Sequence, residues 1–475
     1  MARRSTRLSP SAAQSELADA LRALRAQLQV PGDYPAAAEA EARAAAATPL
    51  GELPDLTDVE FLTIDPSGSR DLDQAMHLAV TDAGFEVRYA ITDVPFFVAP
   101  GGALDAETRR RGQTLYAPDG RIPLHPTVIS EGAGSLLPGQ VRRAFVWQFS
   151  LDRDGAVRST ALGRALVRSR RQWSYEEAQK ALDKGTAPPA LAPLPAIGAA
   201  LIAQEAARGG ASLNAPDQEI VLTPDGYGIE RRMPLPIEDW NAQISLLTGM
   251  AAARIMLDGG VGILRTMPPA DDQAVAAFRR DTELLGLPWA EGVDYGEYLR
   301  TLDRSQPKAL AVLQAAAALF RGAGYEAFDG APPAQPTQAA LAAPYAHVTA
   351  PLRRLVDRWG LVICEALASG RPVPEWARGS LPELPRIMAT TSSLSGRLDA
   401  AALDRVEAAV LSGQVGEVFE AIVLAQNHTR TRLQLVEPPV TASVDGIVGE
   451  PGDVAHVRLT SATISTGELV FEPQA

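Results

Sequence analysis

Apolar residues recur every three or four positions between Ser11 and Val30, where Leu17, Leu21, Leu24 and Leu28 form one stripe, and the period predicts an amphipathic helix. Pro31 and Gly32 end it, and the Ala/Glu-rich stretch 35–47 predicts a second helix. Residues 1–50 therefore read as a helical N-terminal segment, either a cap packed on the next domain or a helix-turn-helix that touches nucleic acid. From Val59 the period drops to two. Residues 59–65, 75–80 and 84–94 predict strands, with Phe85, Val87, Tyr89 and Ile91 alternating against polar neighbours. A further pair is expected at 143–151 and 155–162, around the turn 152–155. Helices follow at 174–182, 194–208, 237–257, 273–285, 307–320 and 352–368, interrupted by a sheet segment at 219–231, with a proline-rich loop at 329–344. After a helix at 399–411, five short Gly-punctuated strands in residues 415–472 fit a small OB-type barrel. Strands clustered early and helices later make an α+β chain.

The 475 residues, 46% hydrophobic and 21% charged, suffice for several domains with real cores. No apolar run is long enough to span a membrane, and the basic N-terminus leads into no apolar signal region. One cysteine, Cys364, excludes an intramolecular disulfide and a cysteine-built zinc site, and a reduced cytoplasmic setting is the expectation. A net charge of −13 argues against a uniformly basic nucleic-acid binder, so local charge must decide. Only three of the 44 basic residues are lysine (Lys180, Lys184, Lys308), which removes Walker-type P-loop chemistry and leaves arginine, the better fork for phosphate oxygens. The runs Arg109–Arg111, Arg142–Arg143 and Arg168–Arg171 are candidate walls of a channel inside an acidic exterior. The five histidines have no ligand spacing.

The richest chemistry lies in residues 63–75, where Asp65, Asp71 and Asp73 share a loop between two strands. Asp71 and Asp73, two apart, face one side of an extended chain, and Pro66 with Gly68 can fold Asp65 back towards them. Converging carboxylates repel unless cations fill the space, and hard oxygens without His or Cys suit Mg²⁺, with Mn²⁺ the alternative. A solvated acidic turn is the bland alternative. A second constellation runs Tyr345-(x3)-Thr349-x-Pro351-x-Arg353-Arg354-(x2)-Asp357. Thr349 or Ala350 at an N-cap with Pro351 at N1 predicts a helix start there, with Arg353 and Arg354 in its first turn. That arrangement suits a bound anion better than it suits the helix.

These two patterns resemble the signatures of the ribonuclease II (RNB) family. Ordered landmarks agree: Ala90–Val94, Tyr116–Pro126, Ser169 to Gln179, and Ile237-Glu238-Asp239. The resemblance covers about residues 55–410, and the terminal barrel resembles the family's S1 domain. It implies an RNB-type catalytic domain at 51–410, an S1-like OB-fold domain at 411–475, and the short helical segment at 1–50. The implied activity is a metal-dependent, processive, hydrolytic 3′-to-5′ exoribonuclease that degrades single-stranded RNA to nucleoside 5′-monophosphates. Asp65, Asp71 and Asp73, with Gln74 beside them, would hold metal, Asp73 and Arg353 would carry catalysis, and Tyr116 would stack on the terminal base. Arg354, Thr349 and Glu238 are expected at the RNA, and Arg430 and Arg432, with Phe419 and His428, in the barrel's groove. Single-stranded RNA is the expected partner of a monomer with no obligate protein partner and no membrane.

Three departures stand out. Gln74 occupies a position usually Asp, removing one charge. Residues 388–393, around Thr390, lack the acid of the family's E-R-R run. The N-terminal 50 residues are too short for two cold-shock barrels. A catalytically impaired RNA-binding protein of the same fold is thus the runner-up, and a small-molecule phosphohydrolase the reading from another class.

Overall fold

A computed structural model describes all residues except 1–11, 212–216, 224–225, 305, 427–428, 447 and 475. His428 lies outside the described residues. Five strands close into a barrel in the order β1 (Phe61–Ile64), β2 (Gln74–Thr81), β3 (Gly84–Thr92), β6 (Val141–Asp152) and β7 (Val157–Trp173). All neighbours are antiparallel except the closing pair, in which β1 runs parallel to β7. The two-residue period sends Val87, Tyr89 and Ile91 of β3, and Phe145, Trp147, Phe149 and Leu151 of β6, into one core. Gly84 begins β3 at φ +149°, and a Cβ there would lie 2.2 Å from the Leu151 carbonyl oxygen, so only glycine lets β3 leave the turn so close to β6. A short hairpin, β4 (Leu115–Ala117) and β5 (Gly120–Ile122), stands outside the barrel.

Helices Pro236–Gly259 and Leu355–Ala368 pack their apolar faces into the same core. Gly249 admits the Tyr345 ring, because a Cβ would stand 2.1 Å from a ring carbon. The C-terminal strands form an antiparallel sheet in the order Thr441–Asp445, Arg430–Leu435, Val418–Gln426, Val454–Thr463, Glu468–Pro473, all near their expected positions.

Both N-terminal helices form, as α1 (Ala12–Gln27) and α2 (Ala36–Ala46), but they lean on different partners. Leu17, Leu21 and Leu24 of α1 are buried with the helix Leu384–Leu411 and residues of the C-terminal sheet, whereas Ala38 and Ala42 of α2 pack with Val94, Phe97, Leu104 and Leu352. Each leucine contributes roughly 1.5–3 kcal/mol on burial, and α1 caps the helix Leu384–Leu411, which itself packs against the C-terminal sheet.

Three expectations shift. The helix after Pro351 starts at Leu355, not near 350, with Arg354 as its N-cap. The reason is backbone pairing: Thr114 N–H donates to the Arg353 carbonyl at 2.9 Å and Leu355 N–H to the Gly112 carbonyl at 2.9 Å, which holds Arg354 between them in an extended conformation. Strand β7 runs on to Trp173, past the arginine run that masks its period. A hairpin of Val261–Thr266 with Gly324–Asp329 stands where no strand was expected.

Candidate active site

Strand β1 ends at Ile64, and Asp65 N–H donates to the Trp173 carbonyl at 3.1 Å, so the acidic loop leaves the barrel at the joint between its first and last strands. The loop re-enters at Gln74, the first residue of β2. Across it lies the segment 349–355. Asp73 is fully buried between the two: Oδ1 accepts the Leu352 N–H at 2.7 Å, and Oδ2 accepts Arg353 Nε at 2.7 Å. Residues 280 positions apart in sequence thus meet as one ion pair.

Burial pushes the Asp73 carboxyl up to about 7 against the pull of Arg353 and the Leu352 N–H, and Asp71 adds to the rise. Burial also opposes the charge on Arg353, yet Asp73, with Tyr116, Asp65 and Asp71, holds that guanidinium well above its ordinary value. Within the pair, burial works against both charges, and each partner's charge favours the other's. Tyr116 belongs to the same neighbourhood. Burial raises its hydroxyl pKa, and Arg353, Asp71, Asp73 and Arg121 all act on it.

The structure brings Asp65, Asp71, Asp73, Arg353 and Tyr116 into one electrostatic unit. It does not arrange the carboxylates as a cage. Among the described residues, no group of three or more His, Cys, Asp or Glu side chains is placed to hold a metal ion. Asp73 is taken by Leu352 and Arg353, and Asp71 pairs with Arg121, which also reaches Glu131 at 2.7 Å. The Gln74 amide donates to the Thr349 carbonyl, tying the two loops together. The donor chemistry suits a hard divalent cation, but as they stand the side chains do not fit one.

Other expected residues fall nearby or elsewhere. Arg354 grips Asp357 through two bonds of 2.9 and 2.8 Å, and Asp357 in turn accepts the Ala350 N–H at 2.7 Å, so this arginine braces the loop below Arg353. Thr349 is buried. Glu238, at the start of the helix Pro236–Gly259, holds Arg232 at 2.6 and 3.0 Å. In the C-terminal domain, Arg430 pairs with Asp445 at 2.9 Å, Arg432 is exposed, and Phe419 is buried against Phe471. Thr390 is exposed and turns its hydroxyl back to the Arg386 carbonyl.

The basic runs expected along the RNA path are engaged in local structure. Arg110 and Arg111 hold Glu107, Arg109 holds Asp105 and reaches Glu383, and Arg143 pairs with Asp93. Arg142 donates to the Ser135 and Gly132 carbonyls, Arg170 to that of Thr57, and Arg171 lies 3.5 Å over the Trp173 ring.

Sequence reading missed the contacts around the β4–β5 hairpin. Arg121 on Asp71 needs the hairpin to fold over the acidic loop, and no spacing signals that. Arg25 of α1 forks onto Asp119, in the turn of the same hairpin, at 2.6 and 2.7 Å, while the Tyr34 hydroxyl donates to the Pro123 carbonyl at 2.5 Å. The N-terminal segment therefore braces the element that carries Tyr116. Arg25→Ala is expected to raise KM for RNA roughly fivefold, the equivalent of about 1 kcal/mol for a part-buried bidentate pair, with kcat within about twofold. Steady-state kinetics check this. An equal fall in kcat would make the contact part of the chemistry.

His125 lies buried beneath the segment of Leu352, its Nδ1 3.2 Å from the Leu352 carbonyl. Burial holds the imidazole down at about 4. The unfolded chain takes up its proton near pH 6.5, so the folded state loses stability as pH falls from about 6.5 towards 4, by roughly 2 kcal/mol at pH 5. Urea unfolding at pH 7.5 and pH 5 should show this loss shrink by that amount in His125→Asn. Parallel losses in the two proteins would place the acid sensitivity elsewhere.

Comparison with known proteins gives this geometry its context. The model of the RNB domain matches residues 54–364, and that of the RNase II-type exonuclease C-terminal S1 domain matches 417–474. DIS3-like exonuclease 2 of Arabidopsis thaliana is 42% identical over 130 residues, 27% of this chain and 12% of its own length. Ribonuclease R of Mycoplasma genitalium is 33% identical over 130 residues, 27% of this chain and 18% of its own. The aligned stretch is thus less than a fifth of either relative. In three dimensions the chain is similar to Mycoplasma genitalium RNase R in complex with ribose methylated single-stranded RNA, at TM-score 0.87 and 17% identity, over 97% of this chain and 78% of that one. It is also similar to yeast Ssd1, a pseudonuclease, at TM-score 0.69 and 17% identity, over 90% and 53%. With the RNB model spanning well over half its length, the chain belongs to the RNB family of exoribonucleases and carries an RNase II-type S1 domain at its C-terminus.

Proposed function

We propose that this chain is a processive 3′-to-5′ exoribonuclease that hydrolyses single-stranded RNA to nucleoside 5′-monophosphates. The observation that supports this most is the buried Asp73–Arg353 pair, which sets a fixed positive charge beside two further carboxylates and an aromatic ring. In this reading water attacks the phosphorus of the last internucleotide bond and the bond to the 3′ oxygen breaks. The water's proton passes to a carboxylate of the acidic loop, and the departing 3′ oxygen takes up a proton from solvent, so the shortened RNA leaves with its 3′-hydroxyl. Arg353 stabilises the charge that grows on the phosphoryl and leaving oxygens, and Asp73 holds its fork in place. Tyr116 stacks on the terminal base, a contact indifferent to base identity.

Nucleases of this family depend on divalent metal, and Mg²⁺, with Mn²⁺ the alternative, is the cation that hard carboxylate oxygens favour. Asp65, Asp71 and Asp73 carry the oxygens that would have to hold it, but Asp73 is taken by Leu352 and Arg353, Asp71 by Arg121, and the Gln74 amide is engaged with Thr349. We place the enzyme in the cytoplasm as a monomer without obligate protein partner. Exposed Arg432 on the C-terminal sheet is available to trailing RNA phosphates, as is Arg430 once it leaves Asp445.

The second reading is a catalytically impaired RNA-binding protein. Gln74 in place of an acid, and the arginines on Asp71 and Asp73, favour it. Product analysis separates these readings and the small-molecule alternative. Mononucleotides from RNA but not from DNA or p-nitrophenyl phosphate support the exoribonuclease, RNA retention without products supports the binding protein, and turnover of p-nitrophenyl phosphate alone supports the phosphohydrolase.

A further inference from the structure

The linker between α1 and α2 meets the end of the helix Ala103–Arg111. Arg111, the last residue of that helix, is buried. Its Nε donates to Glu107 at 2.7 Å, one terminal nitrogen donates to the Gly32 carbonyl, and the other donates to the Pro123 carbonyl at 3.2 Å. Its Cζ lies 3.7 Å from the centre of the Tyr34 ring, and the Tyr34 hydroxyl donates to the same Pro123 carbonyl. A planar guanidinium with three directed bonds and a ring against it is held in one orientation, so Gly32 and Tyr34 fix where this helix stops. The residues that follow carry that position to the candidate active site. Gly112 leaves the helix at φ +66°, and a Cβ there would stand 2.4 Å from Thr391 Cγ2, so the turn is also pinned against the helix Leu384–Leu411. Gly112, Gln113 and Thr114 then run alongside Leu355, Arg354 and Arg353: Gly112 accepts the Leu355 N–H, Gln113 bridges Arg354, and Thr114 N–H donates to the Arg353 carbonyl. The Arg353 backbone is thus held by residues 112–114, and its guanidinium by Asp73.

We propose that Tyr34 and Arg111 are positioning residues for Arg353: the linker between α1 and α2 sets the root of the catalytic arginine through the backbone of residues 112–114. This rests on reading Arg353 as the group that stabilises charge on the scissile phosphate. The carboxylate of Asp73 orients the fork, but a fork is aimed only if its Cα is also fixed. Reacting groups tolerate little error, since a misplacement of about 1 Å from a remote change can cost on the order of 10² in rate. The two parts of the N-terminal segment then act on different parts of the site. Arg25 of α1 reaches the turn of the hairpin that carries Tyr116, and its loss is read in KM. Tyr34 reaches the residues that pair with 353–355, and its loss is read in kcat.

Steady-state kinetics on single-stranded RNA and hydrogen–deuterium exchange, both on the full chain, test this together. Tyr34→Ala removes ring and hydroxyl and is expected to lower kcat roughly tenfold, with KM within about twofold. Arg111→Lys keeps the charge but cannot span both carbonyls, and should fall as far. Tyr34→Phe keeps the ring against Arg111 and should recover most of the rate. Exchange supplies a readout that a merely fold-stabilising role would not give. In Tyr34→Ala the Thr114 and Leu355 amides should exchange roughly tenfold faster, while those of β3 and β6 match wild type. Faster exchange along the whole chain would overturn the proposal, as would unmoved Thr114 and Leu355 amides. So would a wild-type kcat in Tyr34→Ala or Arg111→Lys. Exchange needs no turnover, so the two failures separate. RNA hydrolysis by wild type with unmoved amides in Tyr34→Ala sinks the positioning role alone, and locally loosened amides in a protein that leaves RNA whole sink the proposed activity alone.

Discussion

Arg353→Ala is expected to lower kcat for RNA hydrolysis by on the order of 10²–10³, with a smaller change in KM, as for loss of a donor that acts mainly in the transition state. The guanidinium is aimed by a carboxylate it cannot leave cheaply, because Asp73 is fully enclosed. A preoriented charge costs no reorganisation when the phosphoryl oxygens become more negative, and that is why it favours the transition state over bound RNA. The same enclosure brings a structural penalty. Removing the arginine strands a buried carboxyl, at a cost on the order of 3–5 kcal/mol, so the kinetics must be read beside a thermal melt and beside Arg353→Lys. Lysine keeps the charge but loses the fork, and should recover stability more than rate. If Arg353→Ala changed only KM, it would be a binding residue, and the catalytic arginine would have to be sought at Arg354 or Arg121.

Asp73→Asn is expected to reduce hydrolysis to below roughly 10⁻³ of wild type while RNA affinity changes little. The amide fills the same space and its oxygen can still accept the Leu352 N–H, but its NH2 faces the Arg353 Nε–H, so a thermal melt must accompany the kinetics. What goes is the charge that fixes Arg353 and sets the local field. The base stacking proposed for Tyr116 and the phosphate contacts of the C-terminal sheet do not use the Asp73 carboxylate itself, so filter binding should show affinity intact. Equal loss of binding and hydrolysis would mean that Asp73 holds the fold together rather than the reaction.

Much of this was legible in the chain. The two-residue period between Val59 and Val94 fixed three barrel strands, because each alternates a buried apolar side with a polar one. The loop 65–73 and the pair Arg353–Arg354 stood out by context, because three acids folded together repel without a cation and two arginines in the expected first turn of a helix oppose its dipole. Two kinds of information were not legible. Arginine-rich stretches hide their partners: the run 168–171 lies on a strand whose apolar side is sparse, and the run 109–111 is matched by acids three and four residues earlier. Long-range closure was hidden as well. That Arg121 would reach Asp71, that Gln74 would bond Thr349 across 275 residues, and that Arg25 would clamp Asp119 depend on how loops fold over one another. The start of the helix after Pro351 is hidden for the same reason, since the bonds that hold Arg354 extended come from residues 112–114.

The central claim, that this site hydrolyses RNA from its 3′ end, is tested most directly by one time course. Wild type and Asp73→Asn are incubated side by side with a single-stranded RNA labelled at its 5′ end, in Mg²⁺ and separately in Mn²⁺. With protein limiting, wild type should convert full-length RNA to short 5′ remnants without a ladder of intermediates and release nucleoside 5′-monophosphates, while Asp73→Asn binds the RNA and leaves it whole. RNA that stays full length with wild type in both cations, yet is retained by the protein, would contradict the account and make this an RNA-binding member of the family in which the hydrolytic site has fallen silent.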